Sequence, residues 1–166
     1  MLLVRATDRL TRFLMIFGAI WAFALCFFIL AEIIFRALNI PFSGTKEIVA
    51  NSVVIIVFMQ VGYAVRSGSM LRADFLVTMM PAQVQKLLLI LALLVGAAFF
   101  FFMLKAGITP ALRSFANGEF DGEGALRVPV WPARFAILLG GGLAGVNYLL
   151  LSVIEIFGLR VEPIDL

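Results

Sequence analysis

The 166-residue sequence has no histidine and a single cysteine, Cys26. Without imidazole it lacks the usual ligands of haem, copper and most catalytic zinc. One thiol excludes both an intrachain disulfide and a dithiol relay. No cofactor is therefore expected in this chain, and no enzymatic or redox chemistry. Charge is scarce too: ionisable Asp, Glu, Lys and Arg make up 14% of the residues against 63% hydrophobic. Soluble domains carry about 25% charged and about 45–50% apolar residues, and a chain this short leaves much of its surface exposed. The surplus apolar surface needs lipid as its solvent. Net charge is only +3, and the arginines stand singly at the edges of apolar stretches, where they meet headgroups. Nothing here suits nucleic acid.

What the sequence does have is four long stretches free of ionisable residues. They run from Phe13 to Ala31, Ile48 to Val65, Leu87 to Leu104 and Phe135 to Ile154, each 18 to 20 residues long. Crossing about 30 Å of hydrocarbon takes roughly 20 helical residues, and backbone in lipid must satisfy its own hydrogen bonds. Core helices of a soluble bundle would each carry a charged face; these carry none. The expected fold is an all-α integral membrane protein, one domain over residues 1–166, with transmembrane helices near 13–36, 46–66, 86–106 and 132–156. The first run follows Arg5, Arg9 and Arg12, but it is too long for a signal-peptide core and has no clear cleavage site. It reads as an uncleaved span, with Cys26 a small apolar packing residue.

The connecting segments carry the remaining signals. Arg5, Asp8, Arg9 and Arg12 share one helical face, as in an interfacial lead-in to the first span. Thr45 is placed to cap the second helix, with Glu47 in its first turn. Between the second and third spans, Leu71, Phe75, Leu76 and Met79 fall on one face and Asp74 and Thr78 on another, which predicts a short interfacial helix ending before Pro81. The third loop, from Asn117 to Gly124, reads as a flexible acidic stretch. Flanking cations number seven on the side of the N-terminus (Arg5, Arg9, Arg12, Arg66, Arg72, Lys86 and Arg160) and six on the other (Arg36, Lys46, Lys105, Arg113, Arg127 and Arg134). That margin decides little; the N-terminal cluster favours cytoplasmic N- and C-termini.

No run has a charge at its centre and none is broken by proline, whereas solute pathways place ionisable groups or helix breaks near the midplane. Glu32 reads two ways, as a coupling carboxylate or as an ion pair with Arg36 four residues on; the pair is the favoured reading. Gln60 and Asn147 could line a path, but such amides more often hydrogen-bond a neighbouring helix. Gly141 and Gly145 form a GxxxG pair that permits close helix approach, within the chain or to a partner. Trp131 sits where an aromatic belt is expected and Tyr148 at the other flank of the fourth span.

An ordered set of residues also resembles the small membrane subunit (DctQ-like) of tripartite ATP-independent periplasmic (TRAP) transporters. It comprises Phe35-Arg36, Asn39, Pro41 and Lys46-Glu47, then Gly62, Ala64, Arg66, Gly68, Arg72, Asp74, Leu76 and Pro81. Leu126 to Trp131 and Gly140 complete it. The sequence departs from the family at Ala37, where an aromatic is usual, and at Met70, where histidine is common. The resemblance implies a multi-pass protein of the bacterial inner membrane and a scaffold role in sodium-driven uptake of an organic acid. Its partners would be membrane lipids, a large multi-span subunit that binds solute and sodium, and a periplasmic substrate-binding protein. Arg66, Arg72 and Asp74 would anchor the small subunit at the cytoplasmic interface, and Glu32, Arg36, Glu47, Gly141 and Gly145 are further interface candidates. Exposure and charge make Arg113, Glu119, Asp121, Glu123 and Arg127 candidates for docking the binding protein. Two alternatives are the small subunit of a tripartite tricarboxylate transporter and a self-sufficient exporter using Glu32.

Overall fold

The computed structural model describes residues 2–40, 44–68, 80–122 and 127–157. Four helices account for nearly all of them: α1 (Leu2–Ala37), α2 (Thr45–Arg66), α3 (Ala82–Ala116) and α4 (Trp131–Phe157). Each is long and apolar enough to cross a membrane, so the chain is a multi-pass membrane protein. The interfacial helix expected near residues 71–79, with Arg72 and Asp74, lies outside the described residues, as do Glu123 and Arg160.

Several boundaries differ from expectation. The basic lead-in is not a separate element: α1 is continuous over 36 residues, about 54 Å at the usual helical rise. Helix α3 runs ten residues past the expected end of its span and contains Pro110, so Arg113 is helical rather than in a loop. Thr45 is not the cap of α2. Gly44 holds that position at φ 88, with no side-chain cap bond, and Thr45 is buried in the first turn. Tyr148 lies well inside α4 rather than at its flank, and Cys26 is exposed rather than packed.

The helix ends obey local rules. Asn39 adopts φ 58 after α1, its N–H donating to the Arg36 carbonyl and that of Ile40 to Phe35. Gly118 does the same at φ 60 after α3, with Gly118 N–H to Phe115 and Glu119 N–H to Ser114. Both are left-handed C-terminal caps, which satisfy carbonyls that would otherwise be orphaned. The third loop is more ordered than its composition suggests. Phe120 pairs with Pro129 and Asp121 with Val128 in a two-stranded antiparallel hairpin, β1 (Phe120–Asp121) and β2 (Val128–Pro129).

The helices form an open row in the order α1–α2–α4–α3, rather than a closed bundle. Helices α1 and α3, at its two ends, share no extended packing interface. The registers follow from facing residues. Thr11 and Gly18 of α1 lie against Gly62 and Gln60 of α2, antiparallel. Phe58 and Gly62 of α2 lie against Gly140 and Leu143 of α4, parallel. Gly96 and Gly107 of α3 face Tyr148 and Leu138 of α4, antiparallel.

Burial is inverted relative to a soluble protein. The fully enclosed positions are small or polar, among them Thr11, Ala97, Ala111, Ser114, Ala144, Asn147 and Ser152, while Phe23, Phe27, Phe99 and Phe102 point outward. Lipid tails solvate phenylalanine as well as a protein core does, so association must come from close packing and interhelical hydrogen bonds. The tightest approach is at Gly140, where a Cβ would overlap the Phe58 carbonyl of α2. At Gly142 the nearest side-chain atom would be 3.8 Å away, an ordinary contact. We therefore expect Gly140→Ala to cost about 1–3 kcal/mol, as overpacking does. Gly142→Ala should stay within about 0.5 kcal/mol of wild type. Titrating the detergent-solubilised subunit with a denaturing detergent distinguishes the two, and equal effects would contradict the packing.

Candidate functional site

Polar side chains collect near the two ends of the helices. At the end bearing the N-terminus, Arg66 closes α2 and turns back to α1, its Nε donating to Asp8 Oδ1 at 2.9 Å and Nη2 lying 3.4 Å from Oδ2. The arginine side chain is only 2% exposed and the aspartate 25%. Next to this pair, Asn147 of α4 donates from Nδ2 to the Gly62 carbonyl of α2 at 2.9 Å and lies 3.4 Å from Thr11 Oγ1 of α1. One amide thus touches three helices. Asn147 was legible as an interhelical donor; Asp8 and Thr11 were not, because their partners sit 58 and 136 residues away in sequence.

At the opposite end, Arg134 of α4 joins three elements. Its Nη1 donates to the Pro110 carbonyl of α3 at 2.8 Å and to Glu119 Oε2, at the foot of the hairpin, at 2.7 Å. The Val130 N–H donates to the Glu119 carbonyl, which closes the hairpin onto the start of α4. Phe115, Trp131 and Phe135 meet edge to face beside it, with ring centroids 5.6 to 6.2 Å apart. By sequence alone Arg134 is only a flanking cation.

The remaining candidates are spread along the row. Glu32 is buried and bonds within its own helix, Arg36 Nε donating to Oε1 at 2.9 Å while the arginine reaches outward with 64% of its side chain exposed. Glu47 is half-buried in the first turn of α2, its carbonyl accepting from Asn51. Gly141 and Gly145 face α3, against Met103 and Phe100 respectively, so the GxxxG pair serves an intrachain contact. Arg113 is exposed on α3 and Asp121 on β1. Arg127 lies 4.5 Å above the Phe120 ring, a cation–π contact across the hairpin.

These groups are dispersed along the row, and the pairs they form are structural. An open apolar groove of about 510 Å³ runs beside α4, lined by residues such as Ile55, Met59, Trp131 and Phe135. It suits an acyl chain or an apolar side chain, not a polar solute. The exposure difference within the Asp8–Arg66 pair makes a prediction. Removing Asp8 takes its carboxylate away from a fully buried cation, whereas removing Arg66 leaves a carboxylate that still reaches solvent or headgroups. Asp8→Ala should therefore destabilise the solubilised subunit more than Arg66→Met, by up to about 3 kcal/mol, and adding Arg66→Met to Asp8→Ala should recover part of the loss. The reverse order in detergent unfolding would show that the pair does not hold α1 to α2.

Comparison with known proteins adds the family. The model of the DctQ component of tripartite ATP-independent periplasmic transporters matches residues 25–158, which takes in all of α2, α3 and α4 and the last third of α1. No curated protein and no solved structure matches the chain. The family is one of transporter components, not of enzymes. The chain belongs to the DctQ family and is a small subunit of a TRAP transporter.

Proposed function

We propose that this subunit is an accessory scaffold: it packs along the large subunit of a sodium-coupled TRAP transporter and widens the fixed part against which a mobile transport domain works. The observation that carries this reading is the open row. Four helices side by side, with small residues between them and large apolar ones outside, enclose no path along which a hydrated solute could cross. A single layer is well suited to lining another protein. Sodium and solute, an organic acid, belong in this reading to the large subunit, and the binding protein delivers the solute from the periplasm. The membrane is the bacterial inner membrane, with both termini cytoplasmic, so the hairpin and Arg134 lie on the periplasmic side.

The exporter alternative loses support from Glu32, whose carboxylate is already held by Arg36 of the same helix. Membership of the DctQ family likewise favours a TRAP system over a tripartite tricarboxylate transporter. Deleting this subunit while keeping the large subunit and binding protein should abolish or strongly reduce sodium-driven uptake; undiminished uptake would refute the accessory role.

The hairpin is our proposed contact for the binding protein, through Glu119, Asp121 and Arg127, with Arg113 of α3 and Glu123 as further candidates. Because Glu119 also braces Arg134, its replacement mixes docking with local stability. Asp121 is exposed at the strand and gives the cleaner variant. Asp121→Asn should raise the half-saturating binding-protein concentration in reconstituted vesicles without changing the maximal rate. An unchanged half-saturation would leave the hairpin as a connector.

A further inference from the structure

Helix α3 forms one end of the row, and its outer surface poses a solvation problem that the chain does not solve by itself. Lys105 is exposed there, and its ammonium has no partner among the described residues. The same stripe continues in both directions with apolar groups: Phe101 one turn before, Leu112 two turns after, and Ile108 beside them, 42%, 57% and 48% exposed respectively. Pro110 has no N–H to give the Ala106 carbonyl, so a backbone acceptor is left over next to the lysine.

No placement of the bilayer suits this surface. If the hydrocarbon boundary lies at Lys105, the following 11 residues of α3, about 16 Å of helix, stand clear of it. Ile108, Leu112 and Phe115 would then be bare to water. If the boundary lies at the Phe115–Trp131–Phe135 cluster, where aromatic side chains belong, Lys105 is immersed. It precedes Pro110, which Arg134 contacts, by about 7 Å along the axis. Snorkelling is hindered as well. Side chains on a helix lean toward its N-terminus, so the lysine stem starts toward the membrane interior, away from the nearer surface.

A protein cover removes both conflicts. Resting on the accessory-subunit reading above, we infer that this edge of α3 is the seat for a transmembrane helix of the large subunit. That helix sets a carboxylate opposite Lys105 and apolar side chains against Phe101, Ile108 and Leu112. Buried charge in a membrane is held by an opposite charge, and the cation here defines the sign its partner must carry. Helix α1, at the other end of the row, presents only apolar groups and Cys26 over its charge-free run and remains facing lipid.

Cys26, the only thiol of the chain, reports on the α1 edge, and Leu112→Cys in a Cys26→Ser background reports on the α3 edge. A membrane-permeant maleimide is applied to the subunit alone and to its purified complex with the large subunit. Assembly should suppress labelling at position 112 and leave Cys26 as reactive as before. Equal labelling at 112 in both states, or protection of Cys26 instead, overturns the assignment while the accessory reading stands. Lys105→Glu should release the large subunit on co-purification, and Lys105→Arg should retain it. If Lys105→Glu leaves the complex intact but depletes co-purifying anionic phospholipid, the cation serves a headgroup and the inference fails. A wild-type subunit that forms no complex at all overturns the accessory reading as well.

Discussion

Helix association in this protein depends on how closely α2 and α4 approach at Gly140. Lipid removes the hydrophobic incentive for helices to meet, so contact must come from dispersion between backbones brought within reach. Gly140 lets the Phe58 carbonyl sit where any side chain would be, and Gly62, Ala136 and Ala144 extend the same narrow seam. Because α4 also packs on α3 through Gly141 and Gly145, it is the hub of the row. Small residues on two of its faces let one helix hold two neighbours.

Charge then secures what packing has assembled. Asp8 with Arg66 fastens α1 to α2 at one end, and Arg134 fastens α3, the hairpin and α4 at the other. Arg66 turns two guanidinium nitrogens toward its carboxylate, a fork that a lysine cannot reproduce, and Arg134 reaches two acceptors from Nη1. Their positions near the helix ends keep most of the electrostatic work out of the hydrocarbon, where an unpaired charge is costly. Next to the first of these pairs, Asn147 is the polar contact shared by three helices, and its Oδ1 is buried with no partner among the described residues.

An open row also explains why the subunit is suited to assisting a transporter. A closed bundle satisfies its polar groups internally and turns a uniform face to lipid. A row leaves two broad faces and two edges, and no more than 33% of the most apolar stretch of any span is buried. Such a shape offers maximal contact area for its length and no interior for a solute.

Number and helicity of the spans were legible in the sequence, because solvation by lipid acts on each stretch locally and an uncharged run of sufficient length has one stable conformation. The Glu32–Arg36 pair was legible for the same reason, being four residues apart on one helix. The caps at Asn39 and Gly118 follow from residues that tolerate positive φ. Helix α3 extended further than its charges suggested, because Lys105 and Arg113 do not stop a helix and Pro110 removes only the one backbone bond its N–H would make to Ala106. Order within the row, the Asp8–Arg66 and Arg134–Glu119 pairs, and the use of GxxxG inside the chain were decided only by the tertiary structure. Uniformly apolar helices carry little information about which neighbour they prefer, and that choice rests on shape matched over residues far apart in sequence.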